Sequence, residues 1–206
     1  MRARTILFEG SDGVGKTTLI NNFQAYLAFK HISQFVIRGS GNRSTTKINF
    51  AIKDDATKVG PDTEILLRLA REQERMKLLQ ENREQYEYML IDRGMISLLT
   101  WITYYGREHA KYEALTDELL AALSPCDVVF CHLNFEDSWE RVTARGGMRP
   151  LDRRELGGSE INARIYSVQW SIFSKFSRPG FATHEIDMAG SPEDCLRELL
   201  GSIGPI

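Results

Sequence analysis

The feature that most constrains this chain is the segment Gly10-Ser-Asp-Gly-Val-Gly15-Lys16-Thr17, which follows a short apolar run and precedes an amphipathic one. Arg4 to Glu9 carries Ile6, Leu7 and Phe8 together, is too short for a helix and is closed at once by glycine, so it reads as a buried strand. Thr17 to Lys30 places Leu19, Phe23, Tyr26 and Leu27 on one helical face. A glycine, four residues, then Gly-Lys-Thr between a strand and a helix is the pattern of a phosphate-binding loop. Its glycines let successive N–H groups turn inward around an anion, and the helix N-terminus adds partial positive charge. Gly10, Asp12, Gly13, Val14, Gly15, Lys16, Thr17 and Thr18 form the expected cradle. Lys16 is placed for β and γ phosphate oxygens, and the Thr17 hydroxyl for a magnesium ion. The implied ligand is a nucleoside triphosphate with Mg2+, which leaves hydrolase, switch and kinase open.

Strand signals recur along the chain at Phe35 to Arg38, Tyr88 to Asp92, Asp127 to Leu133 and Phe181 to Ile186. Helical patterns fall between them, from Pro61-Asp62 onward, from Phe135 to Arg145, from Ile161 to Phe176 and from Ser191 to Ile203. Ser191 stands three residues before Asp194, the spacing of a helix cap. This alternation predicts an α/β fold with a parallel sheet covered on both faces, and its ligands beyond the carboxyl ends of the strands. Gly10 to Thr17, Arg38 and the Asp92-Arg93 pair all emerge at that edge.

At 206 residues the chain fits one domain. Its net charge of -2 excludes a dedicated nucleic-acid binder, so anion affinity must come from local clusters of Lys and Arg. No stretch approaches the ~18 apolar residues of a membrane span. The three cysteines, Cys126, Cys131 and Cys195, lack metal-ligand spacing and read as reduced packing residues, which places the protein in the cytoplasm. No guanine-reading Asn-Lys-x-Asp segment is present, which argues against a GTPase switch.

With these residues in place, the chain resembles the thymidylate kinase family of P-loop nucleoside monophosphate kinases. "FEGSDGVGKTT" is similar to that family's first strand and loop, including the carboxylate of Asp12. "LIDRGMIS" resembles its Asp-Arg motif with a following serine, here Asp92, Arg93 and Ser97. "RVTARGGMRPLDRRE" resembles its lid, and "HEIDMAGSPEDCLREL" its last strand, adenine-side loop and final helix. The resemblance implies a three-layer sandwich with a five-stranded parallel sheet, a lid at about 145–158, ATP and Mg2+ as cofactors, and a homodimer. It implies that Arg93 bridges donor and acceptor phosphates, that Asp92 holds magnesium through water, and that a lid arginine, Arg149 or Arg153, completes catalysis because the loop itself has Gly13 after Asp12.

The acceptor side departs from that pattern. The family's Arg-Glu-Pro-Gly-Gly becomes "RGSGNRSTT", which retains Arg38 for an acceptor phosphate. Where the family stacks a Phe on thymine and donates from an Arg four residues on, "EILLRLAREQER" has Arg68 and Glu72. A carboxylate there accepts where the arginine donated, which suits the amino edge of another base; equally, Arg68 and Glu72 are spaced as a surface ion pair, and a one-residue slip would put Arg71 near the family's arginine. The family's Ala-Tyr-Gln becomes Thr100, Trp101 and Ile102, keeping an aromatic face without the amide. The reading that follows is a kinase acting on a nucleoside monophosphate other than dTMP. Its rivals are a kinase of a free hydroxyl and a nucleotide-binding regulator without turnover.

Overall fold

The computed structural model describes residues 2–38, 48, 59–145 and 158–206, with only the main chain of Arg145. Five strands, β1 (Arg4–Glu9), β2 (Gln34–Ile37), β3 (Tyr88–Asp92), β4 (Cys126–His132) and β5 (Phe181–Asp187), pair in parallel in the order β2-β3-β1-β4-β5. Phe8 lies opposite Asp92 on one side and Val129 on the other, so the ends of β1, β3 and β4 finish along one edge. Parallel strands with period-2 side chains present alternate residues to two covered faces, which is why β1, β3 and most of β4 are buried along their length, while the edge strand β5 is largely exposed.

Ile6, Phe8, Leu90, Val129 and Cys131 pack on one face against Leu19, Ile20, Phe23 and Leu27 of α1 (Lys16–Phe29) and against Cys195 and Leu199 of α7 (Pro192–Ile203). Leu7, Met89, Ile91, Val128 and Phe130 pack on the other. That second face is covered by α2 (Pro61–Asn82), α3 (Met95–Tyr104), α4 (Glu113–Leu123) and α6 (Gly158–Ser174). A further helix, α5 (Phe135–Arg145), follows β4 beside the glycine loop, and a short 3-10 turn, His109–Tyr112, leads into α4. Ser191 caps α7 by accepting the Asp194 N–H, as its spacing predicted. Among the described residues no helix is long and apolar enough to cross a membrane.

Two parts of the fold depart from the local sequence signals. The interval between β3 and β4, which carries no strong periodic signal, holds α3, the 3-10 turn and α4. Helix α3 reads MISLLTWITY, buried on most sides and opened by Gly94 without a side-chain cap of its own. The second departure is on α2, where Arg75 has no exposure at all. Its guanidinium donates to both oxygens of Glu72 (3.2 and 2.9 Å), to the carbonyl of Ile37 (3.3 Å) and to that of Asp92 (2.8 Å). It therefore ties together the carboxyl ends of β2 and β3.

Removing one member of a buried, hydrogen-bonded pair leaves the other charge without compensation. Arg75→Met is expected to lower stability by about 3 kcal/mol, measured by urea denaturation, although methionine preserves most of the volume.

Candidate active site

The glycine loop is shaped by close approach to its neighbours. Gly10 (φ +133°) and Gly13 (φ +88°) occupy the left-handed half of backbone space. A Cβ on Gly13 would lie 2.1 Å from the carbonyl oxygen of Ser138 on α5, and one on Gly10 would lie 2.5 Å from that of Cys131. Only glycine fits either place. Helix α1 then starts at Lys16 from Gly15, with no side-chain cap on its first N–H groups. Open N–H donors, the helix dipole and inward-turned amides together make an anion site.

Lys16 is buried, and its Nζ donates to the carbonyl of Ser11 within the loop (3.2 Å). Burial, and next the charge of Arg93, lower this ammonium below the ordinary lysine value, while Asp92 and Asp12 oppose the shift. A phosphate arriving here would supply the counter-charge that favours the protonated lysine. Asp12, Gly13, Gly15, Thr17 and Arg141 line the cleft around it. Arg141, on α5, is a site residue that the motif reading missed. Its position four residues before Arg145 on the same helix was a usable signal.

A second cleft shares Asp12 with the first. Asp12, Arg93, Ser97 and Gln169 lie among its polar lining, and Trp101 and Trp139 among its aromatic walls. Arg93 donates to Asp12 at 2.5 Å. Arg93 itself has φ +65°, sparsely populated for a residue with a side chain, and its N–H donates to the carbonyl of Phe8 (2.8 Å). This turn is held by Glu9, which is fully buried at the end of β1. One Glu9 oxygen accepts the N–H groups of Gly94 (2.8 Å), Ile96 (3.0 Å) and Ser97 (3.2 Å), and the other accepts the Ser97 hydroxyl (2.6 Å). Helix α3 is thus capped by a carboxylate from a distant strand. Burial raises the Glu9 carboxyl above its usual range, against the opposing pull of Ser97 and Arg93.

The remaining expected residues are distributed unevenly. Ser97 and Trp101 line the second cleft. Arg68 does not pair with Glu72, and neither is on the surface. Instead Arg68 donates to Glu64, from Nε at 3.0 Å and again from Nη2, and its guanidinium lies 4.2 Å from the ring centroid of Trp101. The Tyr105 hydroxyl donates to the other Glu64 oxygen (2.5 Å). Glu72 accepts from Arg71 (2.9 and 2.6 Å) as well as Arg75, so both its oxygens are engaged by arginines. Burial opposes its charge, but Arg75 and Arg71 hold it below the ordinary carboxylate range. Arg38 donates to Asn21 (2.6 Å) and Gln24 (3.2 Å) of α1, away from the second cleft's lining. Arg149, Arg153 and Arg154, and the Arg43 loop, lie outside the described residues, as does nearly all of the expected lid.

This fold and loop define a P-loop nucleotide-binding protein of the α/β class, and residues 5–156 match the family model described as an AAA domain. The chain is 30% identical over 207 residues to a thymidylate kinase of Campylobacter concisus, covering 94% of this chain and 95% of that one. It is 30% identical over 168 residues to a thymidylate kinase of Carboxydothermus hydrogenoformans, covering 80% and 81%. In fold it is similar to the thymidylate kinase of Candida albicans, with a TM-score of 0.70 at 18% identity over 96% of this chain and 89% of that structure. The chain belongs to the thymidylate kinase family and is a nucleotide kinase.

Gly13→Ala must move either the loop or the start of α5. ATP affinity is expected to fall about tenfold, the equivalent of the backbone strain introduced, as measured by isothermal titration calorimetry.

Proposed function

We propose that this kinase moves the γ-phosphoryl group of ATP to a nucleoside monophosphate in a Mg2+-dependent reaction, with an acceptor altered from dTMP. The observation that carries the reading is the Asp12–Arg93 pair, which stands where the phosphate-loop cleft meets the second, aromatic-walled cleft. Phosphoryl transfer needs two anions held in line and their charge neutralised. Lys16 neutralises donor oxygens from one side. Arg93, oriented by Asp12, is placed to reach the group in transit, and Arg149 or Arg153 supplies the further positive charge.

The residues present suit a magnesium ion. The Oδ1 atom of Asp92 is buried and has no hydrogen-bond partner among the described residues, and Thr17 lies in the first turn of α1 beside the loop. A small, hard cation held by one or two protein oxygens and by the nucleotide's own phosphates matches that donor set. When bound, it would bridge and neutralise phosphate oxygens. Three buried thiols outside any disulfide suit a reducing, cytoplasmic setting.

The altered acceptor is supported by the Arg68 cluster. A base-stacking ring is replaced by a guanidinium already committed to Glu64 and to the face of Trp101, and Glu72 faces arginines. Such a site gives thymine neither the apolar face nor the donor that the family pattern offers.

A second reading, transfer to the hydroxyl of a nucleoside or other small molecule, is favoured by one observation: Arg38 rests on α1. If the acceptor carries a phosphate, Arg38 leaves that position to bind it.

The test is ADP release with ATP, Mg2+ and a panel of nucleosides and monophosphates that includes dTMP, dUMP, dCMP and dAMP. Turnover is expected on a monophosphate with dTMP poor, and Lys16→Ala should reduce it by about 100-fold, the scale of losing one preorganised charge donor. Robust turnover of dTMP would overturn the altered-acceptor reading.

Arg38→Ala separates the two acceptor classes. For a monophosphate its KM should rise about tenfold or more, the worth of a charge-assisted hydrogen bond, while a neutral acceptor would leave KM unchanged.

A further inference from the structure

Helix α6 buries two residues, Phe173 and Gln169, and the second is an amide. An amide placed where only 2% of the residue is exposed is costly unless both its ends are hydrogen-bonded. Gln169 meets that condition with partners from two other elements. Its Oε1 accepts from the hydroxyl of Ser11 in the phosphate loop (3.0 Å), and its Nε2 donates to the hydroxyl of Ser97 on α3 (3.4 Å). Ser97 in turn donates to Glu9 (2.6 Å).

The direction of this chain is fixed at its end. The three N–H groups on one Glu9 oxygen favour the ionised carboxylate, which only accepts, so the Ser97 proton goes to Glu9, leaving the Ser97 oxygen to accept from Gln169. The carbonyl end of Gln169 is then left to accept from Ser11. Only a side chain that accepts at one end and donates at the other completes the row. The same Ser11 whose hydroxyl is held by Gln169 presents the carbonyl that takes the Lys16 ammonium.

We infer that Gln169 is a positioning residue for the nucleotide: through Ser11 it sets the loop geometry that places Lys16, and through Ser97 it locks that loop to the turn carrying Arg93. This deepens the phosphotransfer reading and rests on it for the identity of ATP as the ligand. Charged groups surround the relay on every side. Glu9 belongs to β1, Asp12 to the loop and Lys16 to α1; Asp92 and Arg93 follow from β3, and the charge of Glu72 on α2 reaches Glu9. Tyr166 of α6 lines the same cleft.

Calorimetric titration with ATP tests the inference on the full chain, with a melting temperature for each variant and each affinity taken as a ratio to wild type at the same pH. Gln169→Leu and Ser11→Ala should each weaken ATP by about threefold to tenfold, the worth of a neutral hydrogen bond. The double variant should be no weaker than the weaker single, because both remove the same link. Gln169→Glu adds a signature that packing alone would not produce. Ionised, the new carboxyl cannot donate to Ser97 and is repelled by Glu9. Protonated, it donates again.

Burial and Glu9 both raise the pKa of that introduced carboxyl, so its ATP affinity relative to wild type should be low at pH 8 and recover as the pH falls toward 6. Recovery supports the relay even if Gln169→Leu fails to fold. The inference is overturned by a Gln169→Glu ratio that stays flat with pH, or by full additivity of the Ser11 and Gln169 effects. Absence of transfer to every acceptor, with ATP binding intact, would count against the phosphotransfer reading alone.

Discussion

The buried carboxylate of Glu9 is the interaction on which the site depends. It ends the central strand, starts the glycine loop and collects three N–H groups and a hydroxyl from the first turn of α3. A helix start without a local cap has orphan donors, and burying them unpaired would cost several hydrogen bonds' worth of free energy. Glu9 satisfies them, and in doing so fixes the turn in which Arg93 adopts a left-handed backbone and meets Asp12. Donor loop and Asp-Arg turn are therefore parts of one hydrogen-bonded unit. Gln169 extends that unit to a third element.

A second unit lies along α2, where Glu64, Arg68, Glu72 and Arg75 are all buried. Buried ion pairs recover little more than their desolvation cost, so their contribution here is geometry rather than net stability. Arg75 pins the ends of β2 and β3 through main-chain carbonyls, and Arg68 is held over the Trp101 ring by Glu64, which in turn accepts from Tyr105. The charges along this stretch of α2 are thus already committed to one another. The Oδ1 atom of Asp92, by contrast, is buried with no hydrogen-bond partner among the described residues.

Much of the fold was legible because its signals are local. Four of the five strands are short, largely apolar runs, and the observed strands fall within one residue of that reading at either end. The glycine loop was legible for the same reason: its spacing encodes a backbone path, and Gly13 is there because no side chain fits against Ser138. Helix α3 was not legible, since ten mostly apolar residues carry no clear helical stripe and their cap lies 85 positions or more earlier in the chain. Arg68 illustrates a different failure. Its neighbour Glu72 has the right spacing for a pair, but Glu64 has the same spacing on the other side, and Trp101 of α3 and Tyr105 just after it favour that choice.

By itself, then, the sequence determined the order of the five strands and of the helices outside the β3–β4 interval, the phosphate loop and the identity of Lys16, Thr17, Asp92 and Arg93 as chemically apt residues. These follow from contacts between near neighbours in the chain. Only the tertiary structure decided which of those residues meet: Arg93 with Asp12, Arg141 beside the loop, Arg38 on α1 and Gln169 between Ser11 and Ser97. The reason is physical. A buried polar group must find a partner, and which partner is within reach depends on how the helices pack on the sheet, information that no local spacing contains.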